Sequence, residues 1–260
     1  MRRATPHLWL TFNGDCDYKR TPYPATLTEW GIQHGQQTCD ASAPAVIPAD
    51  AAPAAVCSPP MSITHPANTA YSLQELGPNS FIFRVRNALP QRFCEGFIQR
   101  FEACPGHHYA GRAGHAAQRN TALKNTTDLA ISAHRDWQDA DAILHKSLAM
   151  AISALRRRFP YFHGAFKDIG YNMQRYRPGE YYHWHIDSDS APLANRQLVA
   201  LWYLNTVTAG GETEFVHQSV KVTPEAGTLI VFPPFWTHRH RACTVRAGVK
   251  YIATTWLVFT

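Results

Sequence analysis

Three glycine-bearing turns, Pro178-Gly179, Gly210-Gly211 and Glu225-Ala226-Gly227, break the second half of this chain at intervals that leave room for strands and short loops. The apolar runs between them, residues 198–204 and 229–235, are strand-sized and far below the roughly 18 residues of a bilayer helix. Gly227-Thr228-Leu229-Ile230-Val231-Phe232 reads as a buried strand. Residues 250–259, rich in β-branched and aromatic side chains, read as a closing strand. Upstream, 80–85 and 124–132 also read as strands. Two helices separate them: 90–104, with Phe93, Phe97, Ile98 and Phe101 at helical spacing, and 136–158, with Trp137, Ile143, Leu144, Leu148, Ile152 and Leu155 on one stripe. Pro160 ends the second helix, and Arg156-Arg157-Arg158 in its last turn suit the helix dipole. No internal repeat is evident, so the expected class is mainly β with flanking helices.

A chain of 260 residues holds one good-sized domain plus an extension. Residues 41–60 are Ala/Pro-rich and resist regular structure. The expected division is an N-terminal segment over 1–40 containing Trp9, Phe12, Tyr18, Tyr23 and Trp30, a linker over 41–78, and a domain over 79–260. The six cysteines form no C-x-x-C pair and are read as free thiols. A formal charge of +6 would suit a nucleic-acid partner, but the basic residues are dispersed apart from the arginine triplet, so that partner is disfavoured. The apolar patch at 8–12 is too short for a secretory core, which leaves a soluble, cytoplasmic protein with no membrane partner as the expectation.

The chemistry is carried by a His-x-Asp pair. In Tyr181-Tyr182-His183-Trp184-His185-Ile186-Asp187, period-2 alternation would point His185 and Asp187 to the same side of one strand. The downstream block Thr237-His238-Arg239-His240 follows the buried strand and offers a third ligand. Two histidines and one carboxylate can hold one face of a ferrous ion and leave the other face open. His183 competes for that role, but only His185 has a carboxylate two positions on. Ten residues past His240, Lys250 opens the closing strand with no anion adjacent in sequence. A buried lysine needs one, and the carboxylate of a cosubstrate would serve.

Together these segments resemble the Fe(II)/2-oxoglutarate-dependent dioxygenases, in their prolyl 4-hydroxylase-like branch. Gln174-Arg175-Tyr176-Arg177-Pro178-Gly179-Glu180-Tyr181-Tyr182-His183-Trp184-His185-Ile186-Asp187 is similar to the family's tyrosine, glycine-turn and His-x-Asp segment. Gly210-Gly211-Glu212-Thr213-Glu214-Phe215 is similar to its Gly-Gly-x-Thr-x-Phe hairpin, and residues 240–250 to its distal block. Thr244 departs from the pattern, standing where the family usually has proline. The resemblance implies a double-stranded β-helix, a cupin-like jelly-roll, with helices backing its major sheet. It makes His185, Asp187 and His240 both the catalytic centre and the iron ligands, in preference to His238 because of the ten-residue step from His240 to Lys250. Lys250 and Tyr176 would grip the distal carboxylate of 2-oxoglutarate.

The activity so implied uses Fe(II), 2-oxoglutarate and O2, with ascorbate as an accessory reductant. It hydroxylates an aliphatic carbon, a prolyl residue of a peptide or protein first of all, and releases succinate and CO2. Asp187 argues for hydroxylation, since related halogenases replace that carboxylate with a small residue. Two other readings stay open: hydroxylation of a free amino acid or small metabolite, and a noncatalytic cupin-like binding module. Thr228, Trp184, Trp202, Tyr203 and Trp256 are read as barrel core rather than substrate contacts. His107 and His108 are read as loop surface, as is His217, and specificity is expected to lie in the loops at 106–125 and 188–195.

Overall fold

A computed structural model describes residues 71–114 and 119–260. The expected segment at 1–40 and the Ala/Pro-rich run at 41–60 lie outside the described residues. In chain order the elements are β1 (Gln74–Glu75), β2 (Phe83–Val85), α1 (Gln91–Ala103), β3 (Tyr109–Ala110), β4 (Lys124–Asn125), β5 (Thr127–Ala130) and α2 (Gln138–Arg158). There follow β6 (Phe166–Asp168), β7 (Asn172–Tyr176), β8 (Tyr181–His185), β9 (Arg196–Tyr203), β10 (Thr213–Phe215), β11 (Val220–Val222), β12 (Thr228–Phe232), β13 (His240–Ala242) and β14 (Lys250–Phe259). The major sheet runs β1-β2-β12-β9-β14-β7-β5-β3, with β6 also on β14, and the minor sheet runs β11-β10-β13-β8-β4. Every pairing is antiparallel.

The continuous apolar runs resolve into two faces because a strand alternates its side chains. Ala200, Trp202 and Leu204 of the β9 run, Leu229 and Val231 of β12, and Tyr251 and Ala253 of β14 pack in one cluster with Phe93, Phe97 and Phe101 of α1 and Ile143, Leu144 and Leu148 of α2. Val199, Leu201 and Tyr203, Ile230 and Phe232, and Ile252 form the second cluster, with Phe215 of the minor sheet. Both faces of the major sheet are therefore buried, and this is why its strands lack an apolar-polar alternation. Each large side chain buried this way contributes roughly 1.5–3 kcal/mol.

Polar ties fix the helices on the outer face. Arg100 of α1, 1% exposed, makes two bonds to Asp139, at 2.6 and 2.8 Å, and lies over the Trp137 ring. The Trp202 indole N–H donates to Ser147 Oγ at 3.0 Å, and the Ser147 hydroxyl donates to the Ala88 carbonyl at 3.0 Å.

Three expectations need correction. Residues 71–78, assigned to the linker, belong to the domain: Tyr71 donates to the Ala88 carbonyl at 2.6 Å, Tyr71 and Leu73 pack on the helix-side core, and β1 pairs with β2. The run at 124–132 is two strands, since Lys124–Asn125 pairs with β8 in the minor sheet and Thr127–Ala130 with β7 and β3 in the major sheet. The free-thiol reading holds for Cys94 and Cys243 but not for Cys104, which is disulfide-bonded. Among the described residues no helix is long and apolar enough to cross a membrane.

Candidate functional site

The mouth between the two sheets brings His185, Asp187 and His240 together. His240, the first residue of β13, is the register partner of His185, the last residue of β8. Asp187 lies just beyond the strand rather than on it, and its backbone N–H donates to the Pro234 carbonyl at 3.0 Å. One Asp187 oxygen is 3.8 Å from His185 Nε2 and the other 3.6 Å from His240 Nε2. Cis ligands on an ion with bonds near 2.1 Å sit about 3 Å apart, so a small inward adjustment closes the triangle. The three ligand atoms all lie within 4.8 Å of one another.

Backbone carbonyls set both histidine tautomers. His185 Nδ1 faces the His183 carbonyl at 2.7 Å and His240 Nδ1 faces the His238 carbonyl at 3.0 Å. A carbonyl only accepts, so each Nδ1 carries the proton and each Nε2 lone pair is turned towards Asp187. Burial, and then the neighbouring His240, push the His185 imidazole down to about 3, which keeps it neutral and able to ligate.

The competing histidines are disposed of differently. His238 spends both ring nitrogens on structure, Nδ1 at 2.9 Å from Thr237 Oγ1 and Nε2 at 2.9 Å from the Ser80 carbonyl. His183 is exposed and lies outside the cluster, although alternation would put it on the same side as His185. A β-bulge breaks the alternation: His240 and Ala242, two apart, face His185 and Tyr182, three apart. That bulge also lets the Tyr182 ring stack on His185, with centroids 3.5 Å apart and planes at 10°.

The cavity behind the triad is lined by β7, β9, β12 and β14, including Tyr176, Leu201, Phe232, Lys250 and Thr254. Lys250 is fully buried, opposite Tyr176 in register, with its ammonium 4.2 Å from the Tyr176 ring centroid. It donates to the Gly211 carbonyl at 2.9 Å, and no carboxylate of the described residues pairs with it. Burial pulls it down to about 7. Tyr176 donates to Gln174 Oε1 at 2.8 Å, and burial holds its phenol well above the ordinary tyrosine value, so it remains a donor. The Gly210-Gly211 turn that carries Lys250's acceptor requires glycine. Gly210 has φ +79°, and a Cβ there would fall 2.1 Å from the Thr244 carbonyl oxygen.

Several site residues were not legible in the sequence. A second cavity opens outward from the triad and is lined by Arg112, Asn120, Lys124, Asp189, Arg196 and Trp256, among others. These come from the two loops expected to carry specificity and from strand positions beside them. Trp256, read as core, lines both cavities, and Arg196 lies over its ring at 3.9 Å while donating to the Asp187 carbonyl at 2.7 Å. Trp202, Tyr203 and Thr228 are indeed buried, at 2% exposure or less. His107 and His108 are not plain surface: His107 stacks on His134 at 3.8 Å, and His108 stacks on Phe101 at 4.0 Å and bonds its carbonyl.

Comparison with known proteins agrees with this geometry. Residues 171–258, which hold the triad, Tyr176 and Lys250, match the 2OG-Fe(II) oxygenase superfamily. The chain is 24% identical over 192 residues to the probable prolyl 4-hydroxylase 9 of Arabidopsis thaliana, covering 63% of this chain and 64% of the relative. It is 30% identical over 133 residues to prolyl 4-hydroxylase 13 of the same plant, covering 40% of this chain and 46% of that one. The chain thus spans about half to just under two-thirds of the length of these relatives. In fold it is similar to a Trichoplax adhaerens prolyl hydroxylase in complex with a hypoxia inducible factor oxygen degradation domain peptide fragment, with TM-score 0.59, 18% identity, and 69% of this chain and 84% of that chain covered. It is also similar to a Pseudomonas putida prolyl-4-hydroxylase, with TM-score 0.53, 18% identity, and 69% and 94% covered. The double-stranded β-helix expectation is met.

Proposed function

We propose that this chain is an Fe(II)- and 2-oxoglutarate-dependent dioxygenase that hydroxylates a prolyl residue in a peptide or protein. The observation that carries this reading is a His-Asp-His face, its aspartate and second histidine buried and His185 half-buried, beside a fully buried lysine that no carboxylate of the described residues pairs with. His185, Asp187 and His240 would hold the iron. When bound, iron and 2-oxoglutarate supply the oxidising chemistry, and the cosubstrate leaves as succinate and CO2.

The chain's own part is positioning and solvent exclusion. Lys250 would take the distal carboxylate as a charge-assisted pair, which relieves its own burial, and the Tyr176 hydroxyl would turn its proton from Gln174 to the same carboxylate. Leu201, Phe232 and Ile252 give the cavity a dry wall. At the outer mouth, Arg196 Nε and Trp256 Nε1 are buried with no hydrogen-bond partner. Buried donors want acceptors, and successive carbonyls of an extended peptide would supply them. This favours a peptide over a free amino acid.

Succinate release from 2-oxoglutarate, measured with Fe(II), ascorbate and a panel of proline-containing peptides, tests the assignment. Peptide-dependent succinate with a matching 16-dalton increment on proline is expected. Turnover stimulated by a free amino acid and by no peptide would reassign the substrate class, and failure to bind metal would remove the assignment altogether.

A further inference from the structure

Where the chain crosses from the minor to the major sheet, at Thr126, it buries an ion pair to which the reading above gives no role. Lys124 and Asp128 are each 4% exposed, with Nζ 2.6 Å from Oδ2. The other carboxylate oxygen accepts the Thr126 hydroxyl at 2.6 Å. Gly111 makes space for the lysine: its N–H donates to the Thr126 carbonyl at 2.9 Å, and a Cβ there would fall 2.0 Å from Thr126 Oγ1 and 3.1 Å from Lys124 Cε. An ion pair stripped of water to this degree is a weak source of stability, because desolvating both ions offsets most of their attraction. Its surroundings point elsewhere. The Lys124 ammonium lies over the Tyr182 ring, 5.2 Å from the centroid, and the same ring is stacked parallel on His185.

We propose that Lys124, aimed by Asp128, is a positioning residue that pins the Tyr182 ring against His185 and so fixes the plane of that imidazole. This rests on reading His185 as a metal ligand. One hydrogen bond, from Nδ1 to the His183 carbonyl, leaves the ring free to swing about that contact. A flat plate against its face removes the swing, and a cation over the plate keeps the plate in place. Outer partners of metal-bound histidines typically change metal affinity by about 10–100-fold. Lys124 touches neither metal nor cosubstrate in this account and acts through Tyr182.

Mn(II) affinity of the metal-free 260-residue chain, read from the EPR signal of free Mn(II), separates positioning from mere structure. The set comprises wild type, Lys124→Met, Tyr182→Leu, the double variant, and Lys124→Arg. The two single variants are expected to bind about tenfold more weakly. The double is expected to be no weaker than Tyr182→Leu alone, because both act on one contact. Lys124→Arg keeps the cation and should stay within about threefold of wild type.

Should Lys124→Met fail to fold on account of the uncompensated Asp128, Lys124→Met/Asp128→Leu removes the whole pair and enters the same cycle. Unchanged Mn(II) affinity with a lowered Tm, or losses that add, would overturn the proposal while the metal site stood. Absence of Mn(II) and Fe(II) binding by the wild type would overturn the triad itself, and this inference with it.

Discussion

Replacing Lys250 with methionine should make the empty protein more stable and its cosubstrate binding worse, a pair of effects that a purely structural lysine would not show. The ammonium is fully buried and burial takes it from the ordinary 10.5 to about 7. At about 1.4 kcal/mol for each pKa unit, holding this group in the folded state costs on the order of 5 kcal/mol near pH 7. Methionine of similar length removes that cost and orphans the Gly211 carbonyl, which gives back about 1–3 kcal/mol. The net gain is roughly 2–4 kcal/mol, or about 5–12 °C in Tm for a domain of this size.

The pH dependence has a definite sign. Between pH 7 and 10.5 the unfolded lysine holds a proton that the folded one has released, so wild-type stability climbs through that window as pH rises. The variant should lose that slope. With Mn(II) present and air excluded, 2-oxoglutarate at a hundred times its Kd should stabilise the wild type by about 2.7 kcal/mol and leave the variant unmoved. Thermal unfolding at pH 7 and pH 9.5, with and without cosubstrate, measures all of this. A variant less stable than the wild type at pH 7, or one still stabilised by 2-oxoglutarate, would refute the assignment of Lys250 as a carboxylate receptor.

Asp187→Ala should abolish Fe(II) binding and cut succinate formation at least about 100-fold, since two imidazoles alone leave the facial set incomplete; metal titration and succinate quantification check it. His240→Ala should lose the metal and stay folded, whereas His238→Ala should bind metal and lose about 1–3 kcal/mol of stability through the orphaned Ser80 carbonyl. Denaturant unfolding paired with metal binding distinguishes the two. Gly210→Ala forces a Cβ against the Thr244 carbonyl at 2.1 Å from a φ of +79°, and should cost at least about 2 kcal/mol in chemical denaturation. Phe97→Ala, in the helix-side core, should cost about 3–5 kcal/mol without changing metal affinity.

Spacing that tertiary structure cannot alter was legible in the residues themselves. The Gly-punctuated runs forced strands, and the long stripe from Trp137 to Leu155 forced the 21-residue α2. His185, Asp187, His240 and Lys250 stood out because side chains of their types at strand ends have few other uses. Contacts across the sheets decided the remainder. Alternation wrongly kept His183 level with His185, because a bulge that only pairing with β13 creates changes the parity of β8. The same bulge puts Tyr182 on His185. Trp256 looked like core because periodicity reports which face of a strand a residue occupies and not whether that face meets a filled core or a cavity. Lys124 and Asp128 are four residues apart in one apparent strand, and they become a buried pair beside the site only because the chain changes sheets between them. Local sequence fixes period and turn chemistry; which buried polar groups share one low-dielectric pocket is settled by long-range pairing, where the cost of an unpartnered charge is decided.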